Sequence, residues 1–527
     1  MTSPAQAFRT IHGKIRREWR IAFLSCFVTG LLTHLPVLLS DIPNHDGLAS
    51  MYFDQNMITS GRWFLSVACG FSSYYTIPWV IGLLGLFFLS MAAAALCELL
   101  EVRKPWAVIL CGGMLAAFPA LASTFAYVYT LDGYMLALLL AVLAVLFTKR
   151  FRLGFLPGAV CLAFSMGIYQ GYLSFAMVLS AFSVLMLTAG GESAAEVSGK
   201  KSLPGEIRRI LAYLYMGLLG GGLYFLILQV LLKIQGKSLD TYQGISGMLA
   251  GPDGGGGIFS AGAEMYRDFF RFTIRGNVLF QNVFSAGAGI LLLGAVLVKG
   301  LSLLRKRKCW KNPLTFGIMV MVLLLLPVAT NVILIVSPGV NYHLLMRYQW
   351  VLYPVGAVAL LSGGDGGKKR DILLEWTALG AAVVLVFCYG ITDNIAYANL
   401  QKRYEKTYAY CLRLLDRIEQ TEGYYPGIPV AMVGVVGDEQ YPVTDITLPV
   451  TSGMIGMNGD VLLYTGENYR IFMQNYLGAT LNILPARAME EMYYSEEYAA
   501  MDSFPGENSV RIIDGILYVK TENSVRE

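Results

Sequence analysis

Between Asp41 and Trp63 the chain reads DIPNHDGLASMYFDQNMITSGRW. Three carboxylates, a histidine and an arginine fall in one short polar stretch directly after an apolar run. A carboxylate held close to a membrane plane can act as general base on an acceptor hydroxyl, a role worth typically about 10²–10⁴-fold in rate. Asp46 is the first candidate. Leu48, Met51, Tyr52, Gln55 and Ile58 follow at i, i+3, i+4, i+7 and i+10, with Gly61 behind, which predicts a short helix lying in the interface. Asp46 therefore reads equally as the N-cap of that helix. His45 is either a helper to Asp46 or a polar loop residue. Asp41 and Asp54 are alternative carboxylates or solvated loop charges, Asp54 lying about two helical turns past Asp46. Arg62 beside Trp63 suits a phosphate ligand or an interfacial anchor.

Further cations are spread along the chain. Arg347 stands in the otherwise apolar run NYHLLMRYQW, with His343 one turn earlier, so both can face one phosphate; alternatively Arg347 snorkels to the interface. Arg267, Arg271 and Arg275 recur every four residues in EMYRDFFRFTIRGN, a stripe that attracts anionic headgroups and could also meet a substrate. Asp132 in TFAYVYTLDGY is placed to hydrogen-bond sugar hydroxyls or to cap the next helix. Four consecutive glycines in GPDGGGGIFS lack the Lys-Ser/Thr of a phosphate loop. No His/Asp/Glu cluster has metal-ligand spacing beyond the His45–Asp46 pair, so no obligatory metal and no cofactor are expected. The eight cysteines are scattered, forming neither a disulfide framework nor a zinc pattern.

The elements that carry these residues are set by composition. With 55% hydrophobic and 14% charged residues and a mean hydropathy of +0.55, the chain is too apolar for a soluble globular protein, which carries about 25% charge. The net charge of +4 leaves no nucleic-acid footprint. Apolar runs of roughly 20 residues predict about eleven spans: 21–39, 77–96, 106–121, 131–147, 155–169, 172–189, 210–232, 283–301, 314–336, 343–361 and 372–391. The uncharged stretch from Phe155 to Gly191 is too long for one span and must turn at Gln170–Gly171. Ionisable residues inside the spans are nearly absent, Glu98 and Asp132 lying near span ends.

Arg103 and Lys104, Lys149 to Arg152, Lys200 to Arg209, Arg305 to Lys311 and Lys368 to Arg370 fall in alternate loops. By the positive-inside rule those loops are cytoplasmic, as is the amino terminus. The first run lacks a cleavage site and reads as a retained span. Residues 1–396 then form a transmembrane domain with external loops 40–76, 233–282 and 337–347, and residues 397–527 a small extracytoplasmic α/β domain. Within it, 397–420 reads as a helix, VAMVGVV as a buried strand, and RIIDGILYVK as a hairpin about Asp514–Gly515.

The runs NHDG, YFDQNM and SGRW, placed directly after the first span, resemble the bacterial type II Gtr membrane glucosyltransferases. The specific match lies in Asn44–Trp63, while the architecture is similar over most of the chain. That resemblance implies a GT-C-like fold in the plasma membrane and transfer of glucose, or a related hexose, from a polyprenyl phosphate to a cell-surface glycan at the outer face. It implies inversion at the anomeric carbon and no nucleotide sugar. It also places the catalytic base at Asp46, although relatives often have adjacent acidic residues where this chain has His45–Asp46. A lipid-linked glycan flippase or other transporter, and a non-catalytic surface-assembly scaffold, are the alternative readings.

Overall fold

The computed structural model describes residues 3–44, 46–49, 56–70, 77–190, 204–240, 258–276, 282–307, 311–337, 340–363, 368–432, 448–451, 453–457 and 466–521. The chain is mostly helical, with a small sheet near its end. Among the described residues, eight helices are long and apolar enough to cross a membrane, or nine if the bent pair Pro105–Ala117 and Pro119–Phe125 counts as one. Phe155–Ile168 and Tyr172–Gly190 are two further apolar helices. Each apolar run picked out above contains helix. Large side chains such as Leu32, Leu218, Leu226 and Phe387 stand exposed on the outside of the bundle, the surface a hydrocarbon environment requires.

Helix Arg17–Leu39 packs against Pro78–Leu99 and Pro105–Ala117. The approach is close because Gly112 lies on the Ala22 carbonyl, where a Cβ would come within 3.1 Å of that oxygen. The turn at Gln170–Gly171 falls where expected, between helices ending at Ile168 and starting at Tyr172. Gln170 is tied down there by hydrogen bonds to the Ser60 carbonyl (2.9 Å) and the Tyr224 hydroxyl (3.1 Å).

Three runs depart from single straight spans. The 106–121 run bends by 48° at Phe118, because Pro119 has no N–H to give the Leu115 carbonyl; the Tyr348 hydroxyl donates to that carbonyl instead, at 2.6 Å. The 314–336 run breaks after Thr330, whose carbonyl accepts from Gln349 at 2.7 Å. The 343–361 run begins as a tight 3₁₀ segment, Leu344–Val351, kinked at Arg347, before helix Leu352–Ser362. The helix expected at 397–420 is continuous with the last span: Lys369–Glu419 is one helix of 51 residues, about 75 Å at 1.5 Å per residue. That is more than twice a hydrocarbon core of about 30 Å.

One end of the bundle gathers the basic residues. Glu98 accepts from Arg16, Trp19, Arg103 and Arg150, Lys104 pairs with Glu375, Lys149 with Glu101, and Lys299 with Asp371. The basic loops thus converge on one face, as an alternating topology demands. At the opposite end, the long helix carries a four-stranded sheet of order β2-β1-β4-β3, where β1 is Pro429–Met432, β2 Asn482–Ile483, β3 Val510–Ile513 and β4 Ile516–Val519. β1 runs parallel to both neighbours. β3 and β4 form the expected hairpin, with Asp514 and Gly515 both at positive φ (50° and 77°). Val430, Met432, Leu517 and Val519 of the sheet belong to the same contiguous hydrophobic core as Cys411, Leu414 and Ile418 of the long helix and the apolar helices of the bundle.

Candidate functional site

The loop after helix Arg17–Leu39 is built around Asn44, which is completely buried. Its amide donates to the Ala126 carbonyl at 2.9 Å, its side-chain oxygen accepts from the Gly47 N–H at 2.7 Å, and its carbonyl accepts from Leu48 at 3.3 Å. The side chain closing this turn is thus Asn44. Asp46 stands exposed at the tip. Of the interfacial helix expected over Leu48–Ile58, the described residues hold only a 3₁₀ turn at each end, Gly47–Ala49 and Ile58–Ser60. His45 and Asp54 lie outside the described residues.

Past that segment the chain doubles back, with Met57 bridged to Arg62 through Gly61 at φ 78°. Trp63 packs edge-on against Phe164 and onto Gly167, where a Cβ would sit 2.6 Å from the indole. Arg62 is half-buried; it donates to the Tyr134 hydroxyl at 3.3 Å and lies 5.1 Å over the ring of Tyr169, which stacks on Tyr134. The charges of Asp46 and Arg62 both act on Tyr129 and Tyr134. Asp46, Arg62 and these tyrosines therefore share one neighbourhood. The tyrosines of AYVYTLDGY were visible in the sequence, but only their neighbour Asp132 was singled out there. Asp132 itself is fully buried at the start of helix Leu131–Arg150, accepting from the Gly133 N–H at 2.9 Å, where the positive end of the helix dipole favours a carboxylate.

Asp41 opens the same loop. Tyr476, from helix Gly466–Leu477 near the end of the chain, donates to its carboxylate at 3.4 Å. Asp41 keeps contact with solvent, yet the protein mass around it pushes its carboxyl above the usual range, partly offset by the Tyr476 hydrogen bond. The turn after residue 453 also reaches in. Gly456, at φ 79°, lies against Asn44 and Tyr127, and its carbonyl accepts from Arg403 at 2.9 Å, while Asn399 holds the Met457 carbonyl at 2.8 Å.

Arg347 forms a second centre. Its guanidinium is engaged bidentately by Asp268 (2.7 and 2.8 Å), its Nε donates to the Tyr342 carbonyl at 3.2 Å, and it lies 3.7 Å over the Tyr342 ring and 4.3 Å over Phe272. Asp268 belongs to the amphipathic helix Ile258–Arg275, whose Ala261 and Met265 face the protein while Arg267, Arg271 and Arg275 are exposed. His343 is half-buried; burial, then the nearby Arg347 charge, hold its imidazole below the usual pKa. Among the described residues no three His, Cys, Asp or Glu side chains converge on a common point.

Two ionisable residues not singled out in the sequence are completely buried in long helices: His34 within the first expected span and Asp393 two residues past the last one. His34 is accommodated by the bend at Phe118: its Nε2 meets the freed Ala116 carbonyl at 2.8 Å and its Nδ1 the Tyr397 hydroxyl at 2.5 Å. A single histidine in an apolar run gave no sign of that partner 363 residues away.

A family model for glucosyl transferase GtrII matches residues 35–360, more than half of the chain. The chain belongs to the GtrII glucosyl transferase family. No curated protein and no solved structure matches it significantly. The GtrII match begins close to the end of helix Arg17–Leu39 and takes in Asn44, Asp46, Arg62, Asp268 and Arg347. It stops before the 51-residue helix, so Tyr476, Arg403 and Gly456 are brought to the GtrII region by a part of the chain beyond the match.

Proposed function

We propose that this GtrII protein transfers glucose, or a related hexose, from a polyprenyl-phosphate donor to a cell-surface glycan on the outer face of the plasma membrane. The bundle would be a GT-C arrangement of eleven spans with the basic face in the cytoplasm and the sheet domain outside. Residues 1–396 and 397–527 would be its two domains, sharing the long helix as a strut. Asp46 takes the proton of the acceptor hydroxyl as that oxygen bonds to the anomeric carbon. The bond from that carbon to the donor phosphate oxygen breaks with inversion, and the polyprenyl phosphate leaves with the electron pair. Arg62 meets the charge that develops there. Arg347 and His343 would join it where the donor phosphate takes the place of Asp268. Neither metal nor cofactor is needed in this scheme.

The observation that carries this reading is the exposed Asp46 at the tip of a loop anchored by buried Asn44, inside the matched region. Purified protein should move radiolabelled glucose from polyprenyl-phosphate glucose to surface glycan. Asp46→Asn should lower kcat by about 10²–10⁴-fold with an unchanged melting temperature. Full activity in that variant overturns the assignment of the base.

A further inference from the structure

A shallow open cleft lies beside the Asp46 loop, lined by Asp41, Pro43, Gly47, Leu48, Tyr129 and Tyr476 among others. We infer that this cleft is the acceptor subsite and that it binds a neutral saccharide ring of the surface glycan, an inference that rests on the function proposed above.

Position comes first. Gly47 follows Asp46 directly, and the Asp46 charge acts on Tyr129 across the lining, so a sugar held in the cleft has its hydroxyl rim beside Asp46. Arg62, which donates to the Tyr134 hydroxyl, is near enough for its charge to act on Tyr129 as well.

Chemistry selects the occupant. A saccharide offers O–H donors around its edge and C–H groups on its faces; the Asp41 carboxylate accepts from the former, and the tyrosine rings cover the latter. The described lining contains one carboxylate and no lysine, arginine or histidine. A lipid phosphate seated in the cleft itself would meet the Asp41 carboxylate with no cation in the described lining, whereas Arg62 stands outside that lining. The cleft therefore suits the acceptor and not the donor.

The cleft is also built by two distant parts of the chain. Tyr476 is half-buried, held by the rings of Phe472 (4.9 Å) and Tyr404 (5.5 Å), and it belongs to the domain beyond the GtrII match. Discrimination among acceptors would thus reside in the carboxyl-terminal domain, with the bond-making residues in the matched region.

Steady-state transfer from radiolabelled polyprenyl-phosphate glucose to surface glycan extracted from the source cells tests this with the full chain. Tyr476→Ala should raise the acceptor KM about tenfold, the worth of one good aromatic contact, leaving donor KM and kcat near wild type. Tyr476→Phe should restore most of the affinity, and Asp41→Asn should raise the acceptor KM several-fold. Calorimetric titration of the same glycan without donor gives a second readout. If the wild type binds glycan with this variant pattern but transfers no glucose, the subsite stands and the donor reading falls. An acceptor KM and a binding constant unmoved by Tyr476→Ala, a change confined to donor KM, or no glycan binding by the wild type overturns the inference.

Discussion

Replacing Asp268 by Asn keeps the shape of the side chain but removes the charge that holds Arg347. One of the two oxygens now facing the guanidinium becomes an NH₂ group, so one of the bonds at 2.7 and 2.8 Å is lost and two donors face each other. Breaking a fully buried ion pair costs about 3–5 kcal/mol. Arg347 is 9% exposed and Asp268 22%, which brings the expectation to about 2–3 kcal/mol, a factor of roughly 30 to 150 in the folding equilibrium. The rings of Tyr342 and Phe272 still cover the guanidinium and keep the loss below the upper figure. Buried thiols report unfolding directly: Cys26, Cys69, Cys97, Cys111, Cys388 and Cys411 are enclosed in the fold, so a thiol-reactive fluorophore follows melting in detergent. Asp268→Asn should melt earlier, and the paired variant Asp268→Leu with Arg347→Met should recover much of the loss. The same variant separates two roles for Arg347. If Arg347 also receives the donor phosphate, removal of its competitor should lower the donor KM while stability falls. An unchanged melting temperature refutes the energetic argument, and an unchanged donor KM refutes the phosphate role.

Gly456→Ala places a methyl group at φ 79° and about 3.0 Å from the Asn44 amide; it should cost about 1–2 kcal/mol from the left-handed backbone alone, and lower kcat by displacing the loop that carries Asp46, both measurable on one preparation. His343 gives a pH dependence. Its folded-state pKa is lowered, so the unfolded chain takes up the proton first as pH falls through about 6.5; the melting temperature should drop below that pH, and His343→Gln should remove that component of the drop.

The helices were legible because long apolar runs in a chain this poor in charge have few other solutions. The turn at Gln170–Gly171 followed from length alone, and the hairpin at Asp514–Gly515 from two residues that tolerate positive φ. Convergence of the basic loops on one face could be read because charge sidedness is a property of the sequence. The 51-residue helix reads as two in the sequence, a span at 372–391 and a helix at 397–420, because the apolar run ends at Ile391, although no glycine or proline interrupts the chain between Gly390 and Gly423; the absence of breakers is the better signal. Partners were another matter. Arg347 was recognisable as an arginine in an apolar run, but Asp268 lies 79 residues away on a helix whose arginine stripe drew attention first. Asn44 looked like an ordinary loop residue until its burial was visible, and Tyr476 meets Asp41 across 435 residues. Such pairings arise from packing, which periodicity does not encode.

Depth decides how the buried charges bear on the rival reading as a carrier. Glu98 and Lys299 sit at the basic end, each with its counter-charges. At 1.5 Å per residue, His34 lies roughly 26 Å along its helix from Arg17, and Asp393 roughly 36 Å from Lys369, so both are near the opposite boundary of a core about 30 Å thick. Asp132 and Arg347 start their segments at that same end. Among the described residues Asp393 is the exception to pairing, since neither of its oxygens has a hydrogen-bond partner, yet it too stands beyond the mid-depth where carriers place their coupling groups. A device that moves a polar cargo through the bilayer needs polar groups along the path. Among the described residues the ionisable side chains gather toward the two ends of the bundle and leave its middle apolar, which favours the proposed transfer at the boundary over carriage through the bilayer.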